Sequence, residues 1–318
     1  GRYLTTGANN LAIGYTAMVG HTTGHSNIAI GYGAMDDTDA GSNSNDSDHN
    51  LAIGVNAMGG TWANTKSENN IAIGNNSLDA ALDGAYYNIA LGHYVFSNLT
   101  TGDSNIGIGW AALESMTAGS SNIAIGQQAM QVHTTGQYNI AIGGGAMNDT
   151  DAGSTSLGSQ HNIFIGFHAG GGTWADAASN QNVAIGNYSM DSALDGALKN
   201  TAVGYSSLSG ITTGDSNTAL GHNAGTSITT GAENVTIGAA SGQTISDGNY
   251  NTILGSSSAP TLAGGSYNNI IGRRAGYSLT SGEYNTALGS TALYSNQTGQ
   301  GSVGLGHAAG YSFTGGGG

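Results

Sequence analysis

The chain has 318 residues, 56 of them Gly, a single Pro and no Cys, with five Lys and Arg against 19 Asp and Glu. A net charge of −14 argues against binding to nucleic-acid phosphates or to an anionic membrane surface. Without cysteine there is no disulfide framework, and no apolar run is long enough to span a bilayer. The opening GRYL and the closing TGGGG read as the ends of a fragment or a processed piece.

From residue 10 onward one short phrase recurs: NLAIG at 10, NIAIG at 27, 70, 122 and 139, NVAIG at 182, NTALG at 217 and 285. Taking the closing Gly of each phrase as an anchor, from Gly14 to Gly306, gives seventeen units. The steps between anchors run 17, 23, 20, 18, 17, 17 and then repeat in the same order. Residues 10–121 and 122–233 are thus a tandem duplication, followed by regular 17-residue units over 234–310. The phrases "AMDDTDAGS" at 34 and "AMNDTDAGS" at 146, and GGTWA at 59 and 171, mark corresponding points of the two copies. Repeats this short cannot each bury a core, so the period predicts stacked coils in a solenoid, one repeat domain over 1–318.

Within a unit the pattern is N-x-A-[IL]-G-x-x-A-[ML], then a turn that often reads TTG. Positions two and four are branched and apolar, with Thr entering position two late in the chain. Alternation places them on one strand face, with Ala three and Gly five on the other. Nothing repeats at the helical period. The expectation is one parallel strand per coil, with the branched face filling the coil interior. The bare Ala/Gly face is then free for a subunit interface. Asn at position one fits left-handed corners or a hydrogen-bonded Asn stack, and Gly five a close backbone approach. Seventeen coils would make a rod of roughly 80 Å.

These repeats resemble the head domains of trimeric autotransporter adhesins, the YadA-like heads, over residues 10–310. The form "NTALGSTALYSNQTG" at 285 is similar to repeats of phage tail fibres and bacterial surface proteins. The chain departs from the adhesin heads in its longer coils. The resemblance implies an all-β, parallel β-solenoid, specifically a left-handed β-roll, assembled as a homotrimer. It implies a structural or adhesive rod of an extracellular surface or virion, with itself as partner and a cell-surface glycan or protein receptor as target. A monomeric β-solenoid that binds ice or glycan is the alternative, although Thr lies singly rather than in the paired rows an ice face needs.

Chemistry is thin. Among nine His no metal-ligand spacing appears, and they read as exposed. Four Glu in separate turns give no paired carboxylates for hydrolysis, so no enzymatic activity is expected. The acidic loops of the 23-residue coils alternate oxygens before Gly, which makes Asp36, Asp37, Asp39, Asp149 and Asp151 candidate calcium ligands; a plain solvated loop is the other reading. No other cofactor is implied. Trp62 and Trp174 fall at one place in the duplicated 20-residue coils, and Trp110 follows a motif Gly. All three are candidates for stacking on a glycan or receptor, the first two on bulges formed by adjoining long loops.

Overall fold

The computed structural model describes residues 6–38, 46–62, 65–150, 158–175 and 177–314. It divides into two units, 1–161 and 162–318. The first holds eight three-residue strands, from β1 (Leu11–Ile13) to β8 (Ile140–Ile142), and the second nine, from β9 (Ile163–Ile165) to β17 (Val303–Leu305). No α-helix occurs among the described residues. Each unit is a parallel β-solenoid, one strand per coil. Pairing is in register, motif residue on motif residue: Leu11 opposite Ile28 and Ala12 opposite Ala29 in the first unit, Thr201 opposite Thr218 in the second.

The first-position Asn explains the register. In the first unit Asn27, Asn50, Asn70, Asn88, Asn105, Asn122 and Asn139 are buried. The side-chain amide of Asn105 donates to Asn88 Oδ1 at 3.0 Å and to the Gly119 carbonyl at 2.8 Å. Its own Oδ1 accepts from the backbone N–H of Asn122 at 2.9 Å and from the Asn122 amide at 3.2 Å. Asn268 makes the same four bonds in the second unit. Every donor and acceptor of the amide is thereby used in a dry interior, where an orphaned polar group is expensive. Asn does not occupy the left-handed corner; the residue before it does, as Ser26 (φ 57°), His49 (φ 59°) and Tyr138 (φ 58°) show.

Gly five also follows from stacking. Gly31 has φ 145°, and a Cβ there would collide with the Gly54 carbonyl of the next coil. This is a position where both the dihedral and the space require Gly.

The strand faces are opposite to the sequence expectation. Position three is the interior: Ala29, Ala52, Ala124 and Ala219 are fully buried. The branched residues of positions two and four point outward, with Leu11 45%, Ile13 53%, Ile73 39% and Leu220 47% exposed, and Ile125 half-buried. The coil is too narrow for a branched residue there, because the ninth residue (Met18, Met58, Leu78, Met130) already fills the space from the facing wall. Where the third residue is larger, the ninth shrinks: Phe164 with Gly170, Thr236 with Gly242, Ile270 with Gly276. A Cβ on Gly170 would lie 2.5 Å from the Phe164 ring. That trade avoids a clash across the interior, as close packing demands. Many coils add one further large interior side chain, among them Trp62, Leu82, Leu99 and Met116 in the first unit and Trp174, Leu194, Ile211 and Ile228 in the second.

Replacing Asn105 by Ala should destabilise the chain strongly. It would orphan the Asn122 N–H and the Gly119 carbonyl, at about 1–3 kcal/mol for each buried group left unpaired. Denaturant unfolding reads this directly, and an unchanged midpoint would contradict the amide stack as the source of register.

Candidate functional site

The outward face of the sheet is the site that stands apart. Each coil contributes two aliphatic side chains, from positions two and four, carried on the parallel ladder at about 4.8 Å per rung. Position zero flanks them on one side and position six on the other. In the first unit these flanks read Asn9, Ser26, His49, Asn69, Tyr87, Ser104, Ser121 and Tyr138, and Tyr15, Tyr32, Val55, Asn75, His93, Trp110, Gln127 and Gly144. Not one is charged, in a chain of net charge −14. In the second unit the flanks carry Lys199, Glu233 and Arg273 as their charges, and position two turns to Thr at 201, 218, 252 and 286, while position four stays aliphatic.

Flanking aromatics stack along the ladder. Tyr15 and Tyr32 have ring centroids 5.4 Å apart, Tyr205 and His222 5.3 Å, Tyr250 and Tyr267 4.9 Å, Tyr267 and Tyr284 5.1 Å, all nearly coplanar in orientation. Because each ring face meets the next ring, edges and phenol hydroxyls are what these columns present. An aliphatic centre with an aromatic, uncharged border has the composition of an interface core.

The acidic residues work elsewhere. Asp83, Asp103 and Asp215 each accept a backbone N–H from the preceding coil, those of Thr65, Tyr86 and Leu198, at 2.7–2.8 Å. Asp79 is half-buried, and desolvation with the nearby Asp36 charge pushes its carboxyl up to about 6. Lys66 and Glu68 form an ion pair at 2.7 Å.

The sequence-derived candidates fare unequally. Trp62 and Trp174 are fully buried, not displayed on loops; each is a large filler of a narrow interior. The Trp174 indole N–H donates to the Gly170 carbonyl at 3.0 Å, and its ring packs 5.7 Å from Phe164. Trp62, opposite a Met at position nine rather than Gly, has no acceptor for its indole N–H. Trp110 is 45% exposed on the position-six flank. Of the calcium candidates, Asp36 is partly buried, and burial, with the Asp37 charge adding, raises its carboxyl. Asp37 accepts a hydrogen bond from the Thr61 hydroxyl at 2.7 Å. Asp39 and Asp151 lie outside the described residues, as do parts of the bulge loops. Among the described residues no group of three or more His, Asp or Glu is placed to hold a metal ion.

His93, His222 and His307 are exposed as expected, but His21 and His133 are buried in the interior. The outward face itself was not anticipated. Its signal lay in the third and ninth positions, whose inverse sizes identify them as partners across one interior, and in the absence of charge from positions zero and six of the first unit.

Comparison with protein-family models and with curated proteins finds no match for the chain. No described helix is long and apolar enough to cross a membrane.

Trp62→Ala should lower the free energy of unfolding by about 3–5 kcal/mol, as expected for emptying a filled core site. An unchanged unfolding curve combined with lost glycan binding would return this residue to a display role.

Proposed function

We propose that the chain is a segment of a homotrimeric structural and adhesive fibre, extracellular or on a virion, whose copies associate through the outward sheet faces. The observation that carries this reading is the uncharged aliphatic ladder with its aromatic border. Contiguous apolar faces of this kind are rare on isolated soluble chains and mark association sites. A partner that matches a long ladder rung for rung must have the same repeat, and a second and third copy of the chain supply it. Closed symmetry is the usual way for identical chains to bury such a face.

This reading keeps the trimer implied by the resemblance to YadA-like heads, with its left-handed β-roll, and exchanges the interface. The branched face, rather than the Ala/Gly face, lies between copies. The chain's role is then mechanical: it holds an adhesive or receptor-binding part away from a surface. It has no catalytic role and requires no cofactor in this account, and calcium at the acidic loops stays outside it. Contact with a glycan or protein receptor falls to exposed residues of the coils, Trp110 among the three tryptophans. The single Thr column of the second unit alternates with aliphatic residues, so the ice-binding alternative is less well supported.

Light scattering on the purified chain should give three times the 31.6 kDa chain mass. Ile108→Asp with Ile142→Asp should shift the mass toward monomer, because both side chains are outward and half-buried in the isolated chain. A wild-type chain that stays monomeric at all concentrations would overturn the proposal.

A further inference from the structure

Two interior positions of the first unit break the apolar rule in the same way. The place filled by Leu99 and Met116 is occupied by His21 and by His133, both fully buried. His21 Nδ1 lies 2.8 Å from the Thr38 hydroxyl and its Nε2 3.1 Å from the Asn27 side-chain amide. His133 repeats the arrangement, 2.8 Å to the Thr150 hydroxyl and 3.2 Å to the Asn139 amide. Each ring thus bridges a threonine hydroxyl and an amide of the Asn stack, and the Asn139 amide is at the same time directed at Asn122 Oδ1 and the Ser159 carbonyl.

The partners are not arbitrary. Asn27 and Asn139 belong to the amide stack that sets the register. Thr38 and Thr150 stand at the start of the long loops of the two 23-residue coils. Each imidazole therefore ties a lengthened coil to the stack, and the device appears once in each copy of the duplication.

We propose that His21 and His133 are acid-sensitive latches, which fasten the two 23-residue coils to the Asn stack and release them locally when the surroundings become acidic. A proton added to either ring would bury a charge in a dry interior. Around His133 stand Thr150, Asn139 and the Gly136 backbone, and no charged group contributes to its environment; burial, opposed only by the Gly136 backbone hydrogen bond, holds the ring down at about 4 from 6.5. Asp149, beside Thr150, and Asp36 and Asp37, near Thr38, are the nearest carboxylates in sequence, and the Asp37 carboxylate is already taken by Thr61. The closed latch thus keeps its ring neutral while an opened one accepts a proton. The contribution of His133 is complete above about pH 6.5 and is lost as pH falls from there toward 4. Within that window opening at His133 grows roughly tenfold per pH unit.

Amide hydrogen exchange on the full chain, corrected for intrinsic rates, tests this. The amides of Met35, Met130 and Val132, bonded to the carbonyls of Ala57, Ala146 and Asn148, report on the latched coils. Those of Leu208 and Gly210, bonded to Ala224 and Thr226, serve as controls. From pH 7 to pH 5 protection should fall at least tenfold at the former and stay within about twofold at the latter. The double changes His21→Leu with Thr38→Val and His133→Leu with Thr150→Val should flatten the response, since Leu fills this place at 82 and 99. Equal loss of protection in every coil, or an unaltered response in the variants, would overturn the proposal. Should the variants fail to fold, nitrogen chemical shifts of the wild-type rings still decide. Neutral rings at pH 5.5 support the latch, and imidazolium rings in the closed state contradict it.

Discussion

One hydrogen-bonded amide per coil governs this structure. A buried Asn side chain has two donors and an acceptor that takes two bonds, and stacking at the β-ladder spacing satisfies all of them only when the next coil offers Asn at the same place. The amide stack thereby converts a sequence repeat into a spatial one. It tolerates coils of 17, 18, 20 or 23 residues, because only the start of each strand must coincide. At Ser302, where Asn is missing, the backbone N–H still reaches Asn285 Oδ1 at 3.0 Å, but the hydroxyl has no partner.

Fixing the strand in this way decides which residues can be inside. With Gly five pressed against the next coil and the ninth residue filling the interior from the facing wall, Ala is the largest residue position three tolerates unless the ninth gives way. The branched residues are left outside, where they cost nothing to the fold of a coil but leave an apolar ladder in water. Burial of such side chains is worth about 25 cal/mol per Å² of surface removed from water. Repeated coil after coil, that is a large driving force for association. The same economy of space accounts for the tryptophans: a coil lengthened to 20 residues is stabilised by a bulky interior residue, and Trp62 and Trp174 supply it.

Much of this was legible in the sequence. The strand at NIAIG, the parallel ladder, the coil count and the Asn stack follow from period and residue type. The facing of the strand did not, because alternation is symmetric: it separates Ile28 and Ile30 from Ala29 without saying which side is inside. The usual preference for burying branched residues pointed the wrong way, since it takes no account of how little room a 17-residue coil encloses. The pairs Phe164 with Gly170 and Ile270 with Gly276 hold the missing information, and they become readable once positions three and nine are known to meet. His21 and His133 were misread for a related reason, as nothing local distinguishes a buried imidazole from an exposed one; only the duplicated Thr38 and Thr150, distant in sequence, explain them.

The association of outward faces can be tested through chemistry the chain lacks. With no native Cys, a single introduced thiol reports on one position alone. Ile108→Cys, on the outward face, and Gln243→Cys, off it at position ten, would each be exposed to mild oxidation in the folded state and run on a denaturing gel without reductant. The account predicts interchain disulfide-linked pairs from the thiol at 108 and monomer from the thiol at 243. Monomer from both, or equal cross-linking from both, would contradict burial of the aliphatic ladder between copies.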